Sequence, residues 1–245
     1  MQKYYANSDV GMQREKNEDY YKAFTYAGYN IYVVADGMGG YQGGDIASKM
    51  AVETITSTIE QAIDNKLIET KNGIGLTIIE SIKRANLKIF EFASQDKKYE
   101  NMGTTIVVVI EKDNKLYYVT VGDSRIYILS DKLKQISKDD TYVAALVKDN
   151  IITEEEAKVH PQRHVLTKAL GIGKKVELEY NEIKVNNNDI LLLCTDGITN
   201  MVEESKISEI LEANRNTQIN VVDKLIESAN NNGGKDNSTA IVVYM

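Results

Sequence analysis

The sequence predicts an α+β fold of antiparallel sheets covered by paired helices, and three observations carry that prediction. Apolar, β-branched runs follow one another with only short turns between them, as in "TTIVVVIE", "KLYYVTVG" and "SRIYILS". Two long stretches repeat isoleucine and alanine at helical spacing. The helices come in consecutive pairs instead of alternating strictly with strands, which argues against a parallel βαβ sheet and for layered antiparallel sheets.

In chain order, "DYYKAFTYA" and "YNIYVVA" flank a glycine turn and read as a hairpin. From Gly44 to Ile63, Ala47, Ala51, Ile55, Ile59 and Ile63 share one helical face. From Gly73 to Ala93, Ile74, Ile78, Ile82, Ala85 and Ile89 do the same. The three β-branched runs follow, separated by "KDN" and by "GD". A helical insertion comes next, with "LVKDNIITEEEA" reading as two helices joined by a short turn. Its second helix is opened by a capping box from Thr153 to Glu156. Two strands follow, among them the buried run "DILLLCT". Two more helices precede the closing strand "STAIVVYM". A single proline, Pro161, and the absence of repeats or low-complexity segments point to one domain over residues 1–245.

The composition excludes several functions. The 245 residues are 42% hydrophobic and 27% charged, an ordinary globular balance. A net charge of -7 argues against nucleic acid, whose phosphates want a basic face. No apolar run approaches the roughly 20 residues that cross a bilayer. "MQKYYANSDVG" lacks the apolar core of a signal peptide. With one cysteine, Cys194, no intramolecular disulfide can form. A cytoplasmic monomer is expected. The two histidines, His160 and His164, are too few and too close together for most zinc-enzyme sites.

The chemistry begins at "IYVVADGMGG", where an apolar strand runs into Asp36 and then into glycines. The pattern recurs at Asp123 in "VTVGDSRIY", at Asp196 in "LLLCTDGIT" and at Asp236 in "NNGGKDNST". One such aspartate is usually a turn residue bonded to its own backbone. Four of them, two within "[AT]-D-G-[MI]", strain that reading. Packed strands bring their ends to one sheet edge, where clustered carboxylates raise each other's pKa, and a divalent cation removes the conflict. The candidate ligands are hard oxygens, the carboxylates and the Gly37 carbonyl, which select magnesium or manganese over zinc or copper. No EF-hand loop is present. Carboxylate-bound pairs of such ions serve phosphoryl chemistry. Arg14, in "MQREKNEDYY", supplies a phosphate fork, with Glu18 and Asp19 next to it in the chain.

These segments resemble the metal-dependent serine/threonine protein phosphatases of the PPM, or type-2C, family in its bacterial branch. The resemblance rests on "SDVGMQREKNEDYY", "VVADGMGG", "MGTT", "VGDSRIY", "HPQRHVLTKALG", "LLLCTDGITNMV" and "GGKDNSTAIVV", which occur in the family's order over almost the whole chain. It implies a four-layer αββα sandwich with a metal cleft at one edge, and hydrolysis by a hydroxide bridging two Mn²⁺ or Mg²⁺ ions. Asp36 would bridge both ions, and the Gly37 carbonyl would bind one of them. Asp196 and Asp236 would hold the other. Asp19, with Glu18 as the weaker choice, would act through a metal-bound water. Asp123 and Asp196 would hold a third, weaker ion. Arg14 would bind the phosphate, and Asn237 would support the Asp236 loop. Eukaryotic members carry a histidine at the place of Met38, so the leaving-group acid here would be a metal-bound water or another group. Residues at about 139–170 would form a mobile flap. The implied substrates are proteins phosphorylated by a bacterial serine/threonine kinase, and the kinase itself.

Other chemistries fail on the same residues. "TDGITNMV" after Cys194 holds no arginine, so a cysteine phosphatase is excluded and Cys194 reads as a buried strand residue. An aspartyl-phosphate enzyme would want an acid two residues before Asp36 or Asp196, where Val34 and Cys194 stand. "GMGGYQGG" misses the dinucleotide pattern because Gln42 takes the last glycine's place. A phosphoprotein-binding module without catalysis would have lost metal carboxylates, and all four are present. A hydrolase of small phosphate esters stays open.

Overall fold

The structure is a computed structural model and describes residues 3–39, 43–217 and 220–245. The glycine-rich positions Gly40 and Gln42 lie outside the described residues. Two antiparallel sheets stack face to face. The first runs in the order β1 (Lys3–Asp9), β11 (Ser238–Tyr244), β10 (Ile190–Cys194), β7 (Arg125–Leu129) and β8 (Leu133–Gln135). The second runs β2 (Asp19–Tyr26), β3 (Tyr29–Met38), β5 (Ile106–Lys112), β6 (Lys115–Val121) and β9 (Asn181–Lys184). The short β4 (Gly103–Thr104) pairs with the end of β3. Both two-residue hairpin turns of this sheet, Ala27–Gly28 and Asp113–Asn114, take positive φ at each residue. That is the twist which lets paired strands turn back without splaying.

Strand alternation builds the four layers. Tyr32, Val34, Val107, Val109, Leu191, Leu193, Ile241 and Val243 point between the sheets and form the central core. Their sequence neighbours Ile31, Val33, Ile106 and Val108 point outward, onto α1 (Gly44–Asp64) and α2 (Gly73–Ala93). Leu192, Cys194, Ala240 and Val242 point to the other outside, against α6 (Glu204–Ala213) and α7 (Val221–Asn231). The αββα sandwich is therefore the observed fold. Among the described residues no helix is long and apolar enough to cross a membrane.

Three departures from expectation position the site. β1 was not expected. "KYYANSD" is an edge strand, pairs only with β11 and has little apolar alternation. β3 does not end at Asp36 but continues through Met38, because Gly37 and Met38 pair with Thr104 and Gly103. "TDGIT" is a strand end followed at once by the one-turn helix α5 (Asp196–Thr199). The insertion forms α3 (Tyr142–Lys148) and α4 (Glu154–Val159), and the Thr153–Glu156 capping box is present with both of its hydrogen bonds.

Candidate functional site

Strand ends from both sheets meet at one edge of the sandwich, around a cleft of about 720 Å³. Arg14, Glu18, Asp36, Gly37, Asp123, Asp196, Asp236 and Asn237 line it. Asp19 lies beneath, only 7% exposed.

Each side chain is held by its own element. The Asp36 backbone is pinned on both sides. Its N–H donates to Thr105 Oγ1 at 3.0 Å, and its carbonyl accepts from Thr105 N and Thr104 Oγ1, each at 2.8 Å. Asp19 opens β2 and sits directly opposite Asp36 in the β2–β3 register, a like-charge cross-strand pair that destabilises a sheet. Asp196 accepts from Asn200 Nδ2 at 2.9 Å. Asp236 follows the turn after α7 and pairs with Arg14 Nη2 at 2.8 Å. Asn237 joins that turn to the arginine segment. Its Oδ1 accepts from Glu18 N at 2.8 Å, and its Nδ2 donates to the carbonyls of Val10 and Lys16, each at 2.9 Å.

Asp123 is not in a hairpin turn. β6 and β7 belong to different sheets, so "GDS" carries the chain across the sandwich and leaves Asp123 at the crossing point. Its carboxyl keeps a hydrogen bond from its own backbone N–H.

The two glycines of the repeated motif are required by close backbone approach. A Cβ on Gly37 would sit 2.1 Å from the Gly44 carbonyl oxygen, and one on Gly197 would sit 1.9 Å from that of Asn237. Gly44 in turn leaves room for the Glu18 carboxylate.

The electrostatics follow from this crowding. Burial, and then the charges of Asp19, Asp196, Asp123 and Asp236, hold the Asp36 carboxyl well above the usual carboxylate range. Burial pushes Asp19 up to about 7 against two threonine hydrogen bonds, and Asp123 up to about 7 with help from Asp196. Asp196 is raised by burial and by Asp236, while His164 opposes the rise. Glu18 is raised by burial and by Asp45.

A hard divalent cation fits this donor set. Asp19 Oδ1 and Asp196 Oδ1 are buried and accept no hydrogen bond, which costs free energy unless a proton or a cation sits on them. Every candidate donor is oxygen. Among the described residues no three His, Cys, Asp or Glu side chains converge on one ion by themselves. Mg²⁺ sites typically take one or two carboxylates and complete the shell with carbonyls and water.

The chain belongs to the protein phosphatase 2C family, whose profile matches residues 12–233, and it falls in the bacterial PPM branch of serine/threonine phosphatases. The serine/threonine phosphatase stp of Listeria innocua is 36% identical over 238 residues, which cover 96% of this chain and 93% of that protein. The crystal structure of the Mycobacterium tuberculosis serine/threonine phosphatase PstP/Ppp superposes with a TM-score of 0.86 at 34% identity, covering 100% of this chain and 98% of the other. A structure of the PstP catalytic domain in complex with two manganese ions superposes with a TM-score of 0.82 at 32% identity, over 99% of this chain and 97% of that one.

The cleft also carries residues that the sequence reading left off the site. Arg163, His164 and Leu166, from the end of the insertion, line it, as do Met201, in the turn after α5, and Lys235, in the loop after α7. His160 points elsewhere. It packs against the Tyr142 ring, and its Nδ1 accepts from Gln162 N at 3.1 Å. Met38 lines the cleft, with a thioether and no exchangeable proton.

Proposed function

We propose that this chain hydrolyses phosphoserine and phosphothreonine in proteins, in the cytoplasm, with two Mn²⁺ or Mg²⁺ ions and a third held more weakly. The carrying observation is the set of carboxylates forced together at the sheet edges, two of whose buried oxygens lack any donor. Asp36, the Gly37 carbonyl, Asp196 and Asp236 would hold the two core ions. Asp19, with Glu18 as the weaker choice, would act through water, and Asp123 with Asp196 would take the third ion. When bound, such ions supply an activated water near neutral pH and neutralise phosphate oxygens.

The chain's own part is to bind and orient the substrate. Arg14 is half exposed, and its ion pair with Asp236 is worth at most about 1 kcal/mol, so it can exchange that carboxylate for a phosphate. Bidentate contact then fixes the phosphate for in-line attack. Met38 has no proton to give, so the leaving alkoxide takes one from cleft water or from His164, the imidazole on the lining. Residues 139–170 act as a flap within one domain, since their ends are tied to the cleft edge. Thr167 N donates to the Asp140 carbonyl, and Asp140 N to that of Gly122, each at 2.8 Å. The bacterial relatives named as serine/threonine and protein phosphatases support phosphoproteins as substrates, and such a phosphatase would reverse the work of a serine/threonine kinase.

The test is a substrate panel. A phosphothreonine peptide should give a higher kcat/KM than free phosphothreonine with the same ions. Equal values, or a preference for small esters, would make the chain a hydrolase of phosphorylated metabolites.

A further inference from the structure

Below the cleft lies a set of hydroxyl groups to which the proposed reaction assigns no part. Asp19 Oδ2 accepts from Thr195 Oγ1 at 2.9 Å and from Thr239 Oγ1 at 2.6 Å, and both threonines are fully buried. A hydroxyl carries one hydrogen. With both threonine hydrogens committed to Asp19, each threonine oxygen can only accept from its other neighbours. Thr195 Oγ1 accepts from Thr239 N at 2.9 Å. Thr239 Oγ1 lies 2.7 Å from Ser8 Oγ, so Ser8 must be the donor there. Ser8 Oγ then accepts from Asn17 Nδ2 at 2.8 Å. The Asn17 amide is oriented by its oxygen, which accepts from Asp19 N at 3.1 Å.

Two directional chains therefore converge on one carboxylate oxygen. One runs from Asn17 through Ser8 and Thr239, the other from the Thr239 backbone through Thr195. The opposite oxygen, Oδ1, is buried and accepts nothing. The chains also cross the sandwich, since Ser8, Thr195 and Thr239 sit on or beside β1, β10 and β11 of one sheet while Asp19 opens β2 of the other. Packing does not require these hydroxyls. Thr239 stands in the run "STAIVVY", where valine would fill the same volume, and a buried hydroxyl costs free energy unless it is bonded.

We propose that Thr195, Thr239, Ser8 and Asn17 form a positioning relay that clamps Asp19 by one oxygen and reserves the other for the cation site. The proposal rests on the metal-dependent reading above. It follows the general behaviour of outer-shell partners, which orient ligand groups and hold them rigid.

The test uses the full chain, freed of metal, as wild type and as Thr195→Val, Thr239→Val, Thr239→Ser and Ser8→Ala. Calorimetric titration with Mn²⁺ reads affinity. Melting in chelator and in saturating Mn²⁺ reads the stabilisation that the ion confers. Each valine variant should bind Mn²⁺ about 10- to 100-fold more weakly and lose part of the Mn²⁺-induced rise in Tm. Thr239→Ser, which keeps the hydroxyl, should bind like wild type. Valine variants that melt lower in both conditions, with wild-type Mn²⁺ affinity and an unchanged rise in Tm, would overturn the relay and leave the threonines structural. Should the valine variants fail to fold, Ser8→Ala carries the test with an expected loss of about fivefold, the worth of one typical hydrogen bond. No loss there would overturn the proposal. A wild type that binds no Mn²⁺ would overturn the metal reading itself, a distinct result.

Discussion

Stripped of metal, this protein should lose stability as pH rises through neutrality. Burial pushes the Asp19 carboxyl from 3.8 up to about 7, and Asp36 and Asp123 are raised with it. A folded-state pKa above the unfolded value means that the folded chain holds the proton more tightly. The stability this contributes is full below about pH 4 and is lost as pH climbs through about 7. For Asp19 alone, the difference between 3.8 and about 7 corresponds to about 4 kcal/mol. Relaxation and the effective dielectric of real interiors bring that to about 2 kcal/mol. Only the part of that interval above pH 5, about two thirds of it or about 1.3 kcal/mol, is lost between pH 5 and pH 8. For a chain of this length each kcal/mol moves Tm by about 2–4 °C, so the chelated protein should melt about 3–5 °C lower at pH 8 than at pH 5. Mn²⁺ competes with the same protons, so its stabilising increment should grow over that interval. The assay is a set of calorimetric melts at pH 5 to 8, in chelator and in saturating Mn²⁺. Asp36→Asn removes one charge from the cluster and should melt above wild type in chelator at pH 8. A chelated Tm equal at both ends of the range, with a pH-independent Mn²⁺ increment, would refute the reasoning.

Two further substitutions separate roles that share the cleft. Arg14→Ala should raise KM for a phosphothreonine peptide about ten- to hundredfold, the worth of a hydrogen bond to a charged group. Arg14→Lys should recover only part of it, because the fork is lost; steady-state kinetics on that peptide check both. Asp123→Asn should keep its fold and its two tighter ions while turnover falls sharply, read by rate, melting and metal content on one sample. A normal rate with a lowered Tm would make Asp123 a structural residue.

What the sequence made legible follows burial. β3, β5, β6, β10 and β11 pair with strands on both sides, and their apolar runs stand out in the sequence. The strands that escaped assignment lie at sheet edges. "KYYANSD" and "LKQ" were missed, and "NEIK" was counted but not placed, because an edge strand need not alternate. The helical faces of α1 and α2 were legible because isoleucine and alanine recur on one buried stripe. The carboxylates were visible as a recurrence at strand ends, and the structure gathers them around one cleft. Their backbone context was not. Nothing local says that β3 runs on to Met38, since that depends on Gly103 and Thr104, far along the chain. Nor does "VGDSRIY" reveal that its two strands part into different sheets. Arg163 and His164 reach the cleft only through the path of the insertion, and polar residues in the turn after α4 carry no periodic signal.

Metal-dependent hydrolysis of a phosphoprotein is the central claim, and release of inorganic phosphate from a phosphothreonine peptide tests it most directly. The purified chain should turn over with Mn²⁺, stop completely in excess chelator and recover when Mn²⁺ or Mg²⁺ is restored. Undiminished turnover in excess chelator would contradict the account.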